Sequence, residues 1–172
     1  KAGSGYTTTA TASSLTSTIS SAFAVSPGAA AKLAFAVQPG NATAGSAFAP
    51  ALQVVVQDTF GNTVSSATTS VTVAITNGTG TTGALLGGTA TVAAVSGVAT
   101  FGNLTIDKAG SGYTLSATAN GLTSAISSPV TISVGAAAQL AFTVQPSNAA
   151  VGAAIAPAVQ VVVQDAQGNT IT

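Results

Sequence analysis

The chain has 172 residues and contains no cysteine, histidine, methionine or tryptophan, and no arginine or glutamate either. Its charged side chains are Lys1, Lys32, Lys108, Asp58, Asp107 and Asp165, which is 3% of residues with zero net charge. A soluble domain ordinarily carries about 25% charged residues. Each absence removes a class of function. Without imidazole, thiol or clustered carboxylates there is no general acid–base pair, no thiolate or imidazole metal site and no glycosidase-type carboxylate pair, so the chain is read as not an enzyme and as binding no cofactor or metal. Three lysines balanced by three aspartates cannot neutralise a phosphate backbone, so nucleic acid is excluded as a partner. The longest apolar stretch, residues 149–163, is interrupted by Pro157 and Gln160 and falls short of the ~20 residues of a spanning helix, so no membrane span is expected. Without disulfides, the core must be made of Val, Leu, Ile, Phe and Ala alone.

What the chain does have is Ala, Thr, Ser, Gly and Val, at 47% hydrophobic overall, too apolar for an ordinary disordered tract. It also repeats itself. Residues 1–7 read KAGSGYT, and residues 108–114 read KAGSGYT again. The register holds without a gap over residues 1–63 and 108–170, at an offset of about 107 residues, with roughly two-thirds of positions identical. A unit of that length is a whole domain rather than a solenoid coil. The chain therefore divides into residues 1–27, the closing strands of one repeat; residues 28–134, a complete repeat; and residues 135–172, the opening strands of a third.

Within the complete repeat the hydrophobic period is two. Residues 33–37, 53–57, 71–76, 89–95, 98–101, 113–118 and 130–134 are β-branched or alternating runs, separated by turn signals such as Gln38-Pro39-Gly40-Asn41, Asn77-Gly78 and Asn120-Gly121. About seven strands in about 107 residues predicts an all-β fold of tandem immunoglobulin-like β-sandwiches with antiparallel sheets, each buried on one face. Asp58 opens a turn in which its carboxylate can cap the backbone ahead and Gly61 can take a positive φ; Asp165 and Gly168 repeat the pair. Tyr113 begins a strand after Ala109-Gly110-Ser111-Gly112, the position of a tyrosine corner, and Tyr6 occupies it in the first repeat. Linkers of about five residues between units predict a stiff rod.

The segments LAFAVQP at 33–39, VVVQDTFGN at 54–62, GVATFGNLTID at 97–107 and AGSGYTLSATA at 109–119 resemble the bacterial immunoglobulin-like repeats of the invasin/intimin type, found in large surface proteins. The resemblance covers the whole chain. It implies an extracellular or cell-surface location, with neighbouring repeats, or copies of the chain in a fibre, as partners.

Several residues allow a sharper reading and a plainer one. Asp58 and Asp165 could ligate calcium, but each unit offers too few oxygens and the turn-forming role is preferred. Lys32 could enter an isopeptide bond, but it becomes Gln139 in the next repeat, which favours an ordinary surface lysine. Asn41, Asn77 and Asn103 head Asn-X-Thr sequons and so are glycosylation candidates; the plainer reading is turn asparagine. Exposed threonine runs, as at 7–11 and 68–72, are ordinary on a solvated strand face. Phe60, at a turn tip, is the one aromatic placed to stack on a sugar, and Gln167 replaces it one repeat later. A domain this poor in charge is expected to be sticky alone and to live in an assembly, under glycans or tethered to a cell. The expected function is a structural segment of a repetitive extracellular fibre, stalk or filament, acting as a stiff spacer. The alternatives are the spacer repeats of an adhesin whose binding domain lies elsewhere, or an accessory domain of a secreted enzyme. The trailing and leading strands at the two ends are expected to belong to a longer polypeptide, with strand addition between copies as the other reading.

Overall fold

The computed structural model describes residues 1–172 in full. Every regular element is a strand, and none is a helix. In the first piece, β1 (Gly3–Tyr6) pairs antiparallel with β4 (Phe23–Val25), and β2 (Thr9–Ala10) with β3 (Thr18–Ile19). The middle of the chain holds β5 (Lys32–Val37), β6 (Ala42–Thr43), β7 (Leu52–Gln57), β8 (Ser70–Ile75), β9 (Leu86–Gly87) and β10 (Thr91–Ala93). It continues with β11 (Val98–Phe101), β12 (Thr105–Ile106), β13 (Gly110–Tyr113), β14 (Leu115–Thr118), β15 (Ala125–Ile126) and β16 (Val130–Ser133). The last piece is a single antiparallel pair, β17 (Gln139–Val144) with β18 (Gln160–Gln164).

In the middle, one sheet runs in the order β11-β7-β5 and another in the order β10-β8-β14-β15. Alternation decides which residues face inward. Val71 and Val73 of β8 are buried while Ser70, Thr72 and Ala74 are exposed; Val130 and Ile132 of β16 are buried while Thr131 and Ser133 are exposed. The inward residues of both sheets meet in one core, with Leu33, Leu52, Val54 and Val56 on one side and Val71, Val73, Leu115 and Ala117 on the other. Phe101, Leu104 and Ile106 extend it. β16, the last long strand of the middle, belongs to neither of these sheets and pairs instead with β13 and β6. The whole is an immunoglobulin-like β-sandwich.

Two pairings depart from the antiparallel expectation: a single bridge joins Lys32 to Thr123 in parallel, and β6 lies parallel to β16, with Ala42 opposite Ile132 and Thr43 opposite Ser133. The Gln38-Pro39-Gly40-Asn41 break lets the first strand leave β7 and cross to the last strand. First and last strands run in the same direction there, so only parallel pairing is open to them. Asn41 holds the crossing, its Oδ1 accepting from the Thr131 amide at 2.8 Å, and Gln38 Oε1 accepts from the Ser128 amide at 2.9 Å.

Candidate functional site

The site is built by the turn that follows β7 and by its copy after β18. Asp58 follows a strand in which Val54 and Val56, in phase with it, are fully buried, so it is carried inward and is 1% exposed. Four donors surround it. Oδ1 accepts from the amides of Phe60 (2.9 Å) and Asn62 (2.8 Å), and Oδ2 accepts from the Gly28 amide (2.9 Å) and Asn62 Nδ2 (2.8 Å). The turn closes because Gly61 takes φ 82°, a conformation costly for any residue with a Cβ. Asp165 repeats the arrangement: Oδ1 accepts from Gln167 (2.9 Å) and Asn169 (2.8 Å), and Oδ2 from Gly135 (2.9 Å) and Asn169 Nδ2 (2.8 Å), with Gly168 also at φ 82°. Gly28 and Gly135 lie between β4 and β5 and between β16 and β17. Each buried aspartate therefore ties its own turn to that incoming stretch.

The asparagine that closes each turn reaches further. Asn62 Oδ1 accepts from the Ala2 amide at 2.9 Å. Asn169 Oδ1 accepts from the Ala109 amide at 2.9 Å, and its Nδ2 donates to the Asp107 carbonyl at 2.9 Å. A carboxamide carries two N–H donors and a carbonyl acceptor in one plane, so while one N–H of Asn169 holds Asp165, the other and the Oδ1 pair with the backbone of residues 107–109 as an added strand residue would. Tyrosine fixes the same stretch from inside. Tyr113 Oη donates to the Lys108 carbonyl at 2.8 Å, and its ring packs against Gly80. The backbone of residues 107–109 is thus held by Tyr113 from β13 and by Asn169 from the turn after β18. In the first repeat Tyr6 Oη donates to the Lys1 carbonyl at 2.9 Å, beside the Ala2 amide that Asn62 holds.

The electrostatics follow from these donors. The Asn62 carboxamide is the largest influence on Asp58; against the upward push of desolvation, it and the amides of Gly28, Asn62 and Phe60 bring the carboxyl from 3.8 down to about 2. For Asp165 desolvation is the largest single influence and pushes upward, but the Gly135 amide, the Asn169 side chain and the amides of Asn169 and Gln167 together outweigh it and bring the carboxyl to about 2. Both aspartates are therefore anions at any ordinary pH, buried without a cationic partner and neutralised only by N–H dipoles.

The remaining candidates are dispersed. Lys32 Nζ donates to the Thr59 carbonyl at 3.5 Å, on the flank of the first turn. Asn41, Asn77 and Asn103 are all exposed. Asn103 is engaged with Thr89, accepting from its amide at 3.0 Å and donating to its hydroxyl at 3.1 Å. Phe60 stands 84% exposed beside a cleft of about 430 Å³ walled by Lys1, Ala2, Val25, Gly28, Asp58 and Asn62. No group of three or more His, Cys, Asp or Glu side chains lies close enough to hold a metal. No helix is long and apolar enough to cross a membrane.

Sequence reasoning missed Asn62, Asn169, Gly28 and Gly135 as parts of the site. A signal for them was present: in D-T-F-G-N and D-A-Q-G-N the two tip residues change while Asp, Gly and Asn do not, and a turn alone does not require the asparagine.

No protein-family model and no curated protein matches the chain. Among solved structures, domains 4-9 of the surface layer protein SbsC are similar at 17% identity and a TM-score of 0.40, over 92% of this chain and 24% of that one. FdeC, an Escherichia coli adhesin, is similar at 19% identity and a TM-score of 0.42, over 86% of this chain and 45% of that one. The chain thus spans less than half the length of either.

Proposed function

We propose that the chain is a stiff structural segment of a repetitive extracellular or cell-surface fibre or stalk. Its units are residues 1–27, 28–134 and 135–172, each an immunoglobulin-like repeat or part of one, and its partners are neighbouring repeats of the same kind. The observation that carries this reading is the junction clamp, formed twice with the same atoms and the same bond lengths to within 0.1 Å. A flexible tether needs no such clamp. A spacer whose length is set by repeat number does, because fixed joints make length grow in proportion to the number of repeats, whereas flexible joints let it grow only as about the square root. The buried aspartates and short linkers support rigidity, and the scarcity of charge supports life in an assembly. The same clamp serves equally in the spacer repeats of an adhesin.

The test removes the clamps. The double variant Asn62→Ala, Asn169→Ala should loosen both joints while leaving the central core intact. Small-angle X-ray scattering should show a broader distribution of interatomic distances than the parent chain, with the circular dichroism unchanged. Identical scattering from the two proteins would remove the clamp from the account, and with it the case for a rigid spacer.

A further inference from the structure

The aspartate bonds of the clamp and the asparagine-to-alanine bond recur at both turns, but the turn tips differ. At the second joint the Gln167 side chain lies against Gly45, in the turn after β6 of the preceding unit. A Cβ built on Gly45 would fall 2.6 Å from Gln167 Cδ and Nε2. Gly45 has φ 76°, and its amide donates to the Ile106 carbonyl at 2.8 Å, so the bare face of this turn is held toward the next unit. Phe60 occupies the position of Gln167 one repeat earlier. Its own Asp58, Asn62, Gly28 and Ala2 are placed as Asp165, Asn169, Gly135 and Ala109 are, yet its ring is 84% exposed beside the 430 Å³ cleft. Gly152, the counterpart of Gly45, keeps the same left-handed backbone at φ 82°.

The geometry points to Phe60 as a docking anchor for a preceding immunoglobulin-like unit, whose glycine turn, the equivalent of residues 43–46, lies against the ring and covers the cleft. This rests on the tandem-repeat reading above and extends it to a specific contact. The occupant follows from continuity with the joint already formed by Gln167 and Gly45. A glycine is the residue that fits, because a flat ring can lie on its backbone where any Cβ would collide. An aromatic at the tip buries more apolar surface than glutamine does, so the first joint is the more apolar of the two once covered. Most of an exposed phenyl ring would leave water, which suits an interface better than a free surface.

Two measurements test it. In the 172-residue chain, Gln167→Phe should set a ring over Gly45, and the Gly45 amide and α-proton resonances should move upfield by ring-current shielding while β5–β16 signals elsewhere stay in place. Gly45 resonances that do not move would overturn the assignment. The second uses the chain lengthened ahead of Lys1 by a copy of residues 28–107. The glycine of the added turn should show the same displacement, and Phe60→Ala should abolish it. An undisplaced glycine in a folded added unit would also overturn the proposal. Failure of the added strands to fold onto residues 1–26 would count against the tandem-repeat reading itself, while the Gln167→Phe result would still decide the contact.

Discussion

Leu33 and Leu140 are the same residue at the same place in two repeats, and their fates differ. Each is the second residue of a strand that pairs with the same register, Leu33 opposite Val56 and Leu140 opposite Val163, and each pair carries the same irregularity after its phenylalanine. Yet Leu33 is 4% exposed and Leu140 is 70% exposed. Val54 and Val161 differ likewise, at 0% and 49%. At the other end of the chain Tyr113 is fully buried while Tyr6 is 37% exposed, resting on Phe23 at a ring separation of 5.9 Å. The comparison separates two kinds of information. Pairing of adjacent strands is specified locally, by alternation and by the Asp-x-x-Gly-Asn turn. Burial is specified by strands far away in sequence: β8 to β12 close the central core, and the flanking pieces have no counterpart of them within these 172 residues.

The largest test of that contrast is at the leucines. Leu33→Ala removes a side chain from a packed core and should lower the free energy of unfolding by about 2–5 kcal/mol. Leu140→Ala, on an open face, should change it by no more than about 0.5 kcal/mol. Chemical denaturation of both variants measures the difference; equal losses would mean that the last piece has found a cover of its own. A smaller effect is expected at the tyrosines. Tyr113→Phe leaves the Lys108 carbonyl without its partner and should cost about 1 kcal/mol. At Tyr6→Phe water can reach the Lys1 carbonyl, so the denaturation midpoint should move less. If Tyr6→Phe cost as much as Tyr113→Phe, the exposure difference would have no energetic meaning.

The long strands were legible because alternating residues reveal their period: β5, β7, β8, β11, β14 and β16 overlap the expected runs, with β5, β7 and β8 each starting one residue earlier. The two-residue strands β6, β9, β12 and β15 were not, since two residues have no period and only tertiary pairing makes them strands. The parallel β6–β16 contact was hidden for the same reason. The site was half legible. Asp58, Gly61, Asp165 and Gly168 stood out because turn chemistry demands such residues. The reach of Asn62 to Ala2 and of Asn169 to Ala109, about 60 residues away in sequence, did not, because asparagine in a turn ordinarily serves its own backbone. Phe60 showed only as an isolated aromatic. Its relation to Gly45 requires knowing that the turn after β6 and the turn after β18 meet at a joint.

The central claim is that adjacent units are held in one fixed orientation by buried, ionised aspartates and the asparagines that bind them. Protonation should undo this in a defined direction. A carboxyl brought from 3.8 to about 2 by its donors stabilises the closed joint fully above its ordinary value, and that stabilisation is lost as the pH falls toward and through about 2. Residual dipolar couplings measured for amides of the central sandwich and of β17–β18 test the claim directly. At neutral pH a single alignment tensor should fit both sets, and near pH 2 the sets should begin to diverge. Two unrelated tensors at neutral pH would show a free hinge and contradict the account.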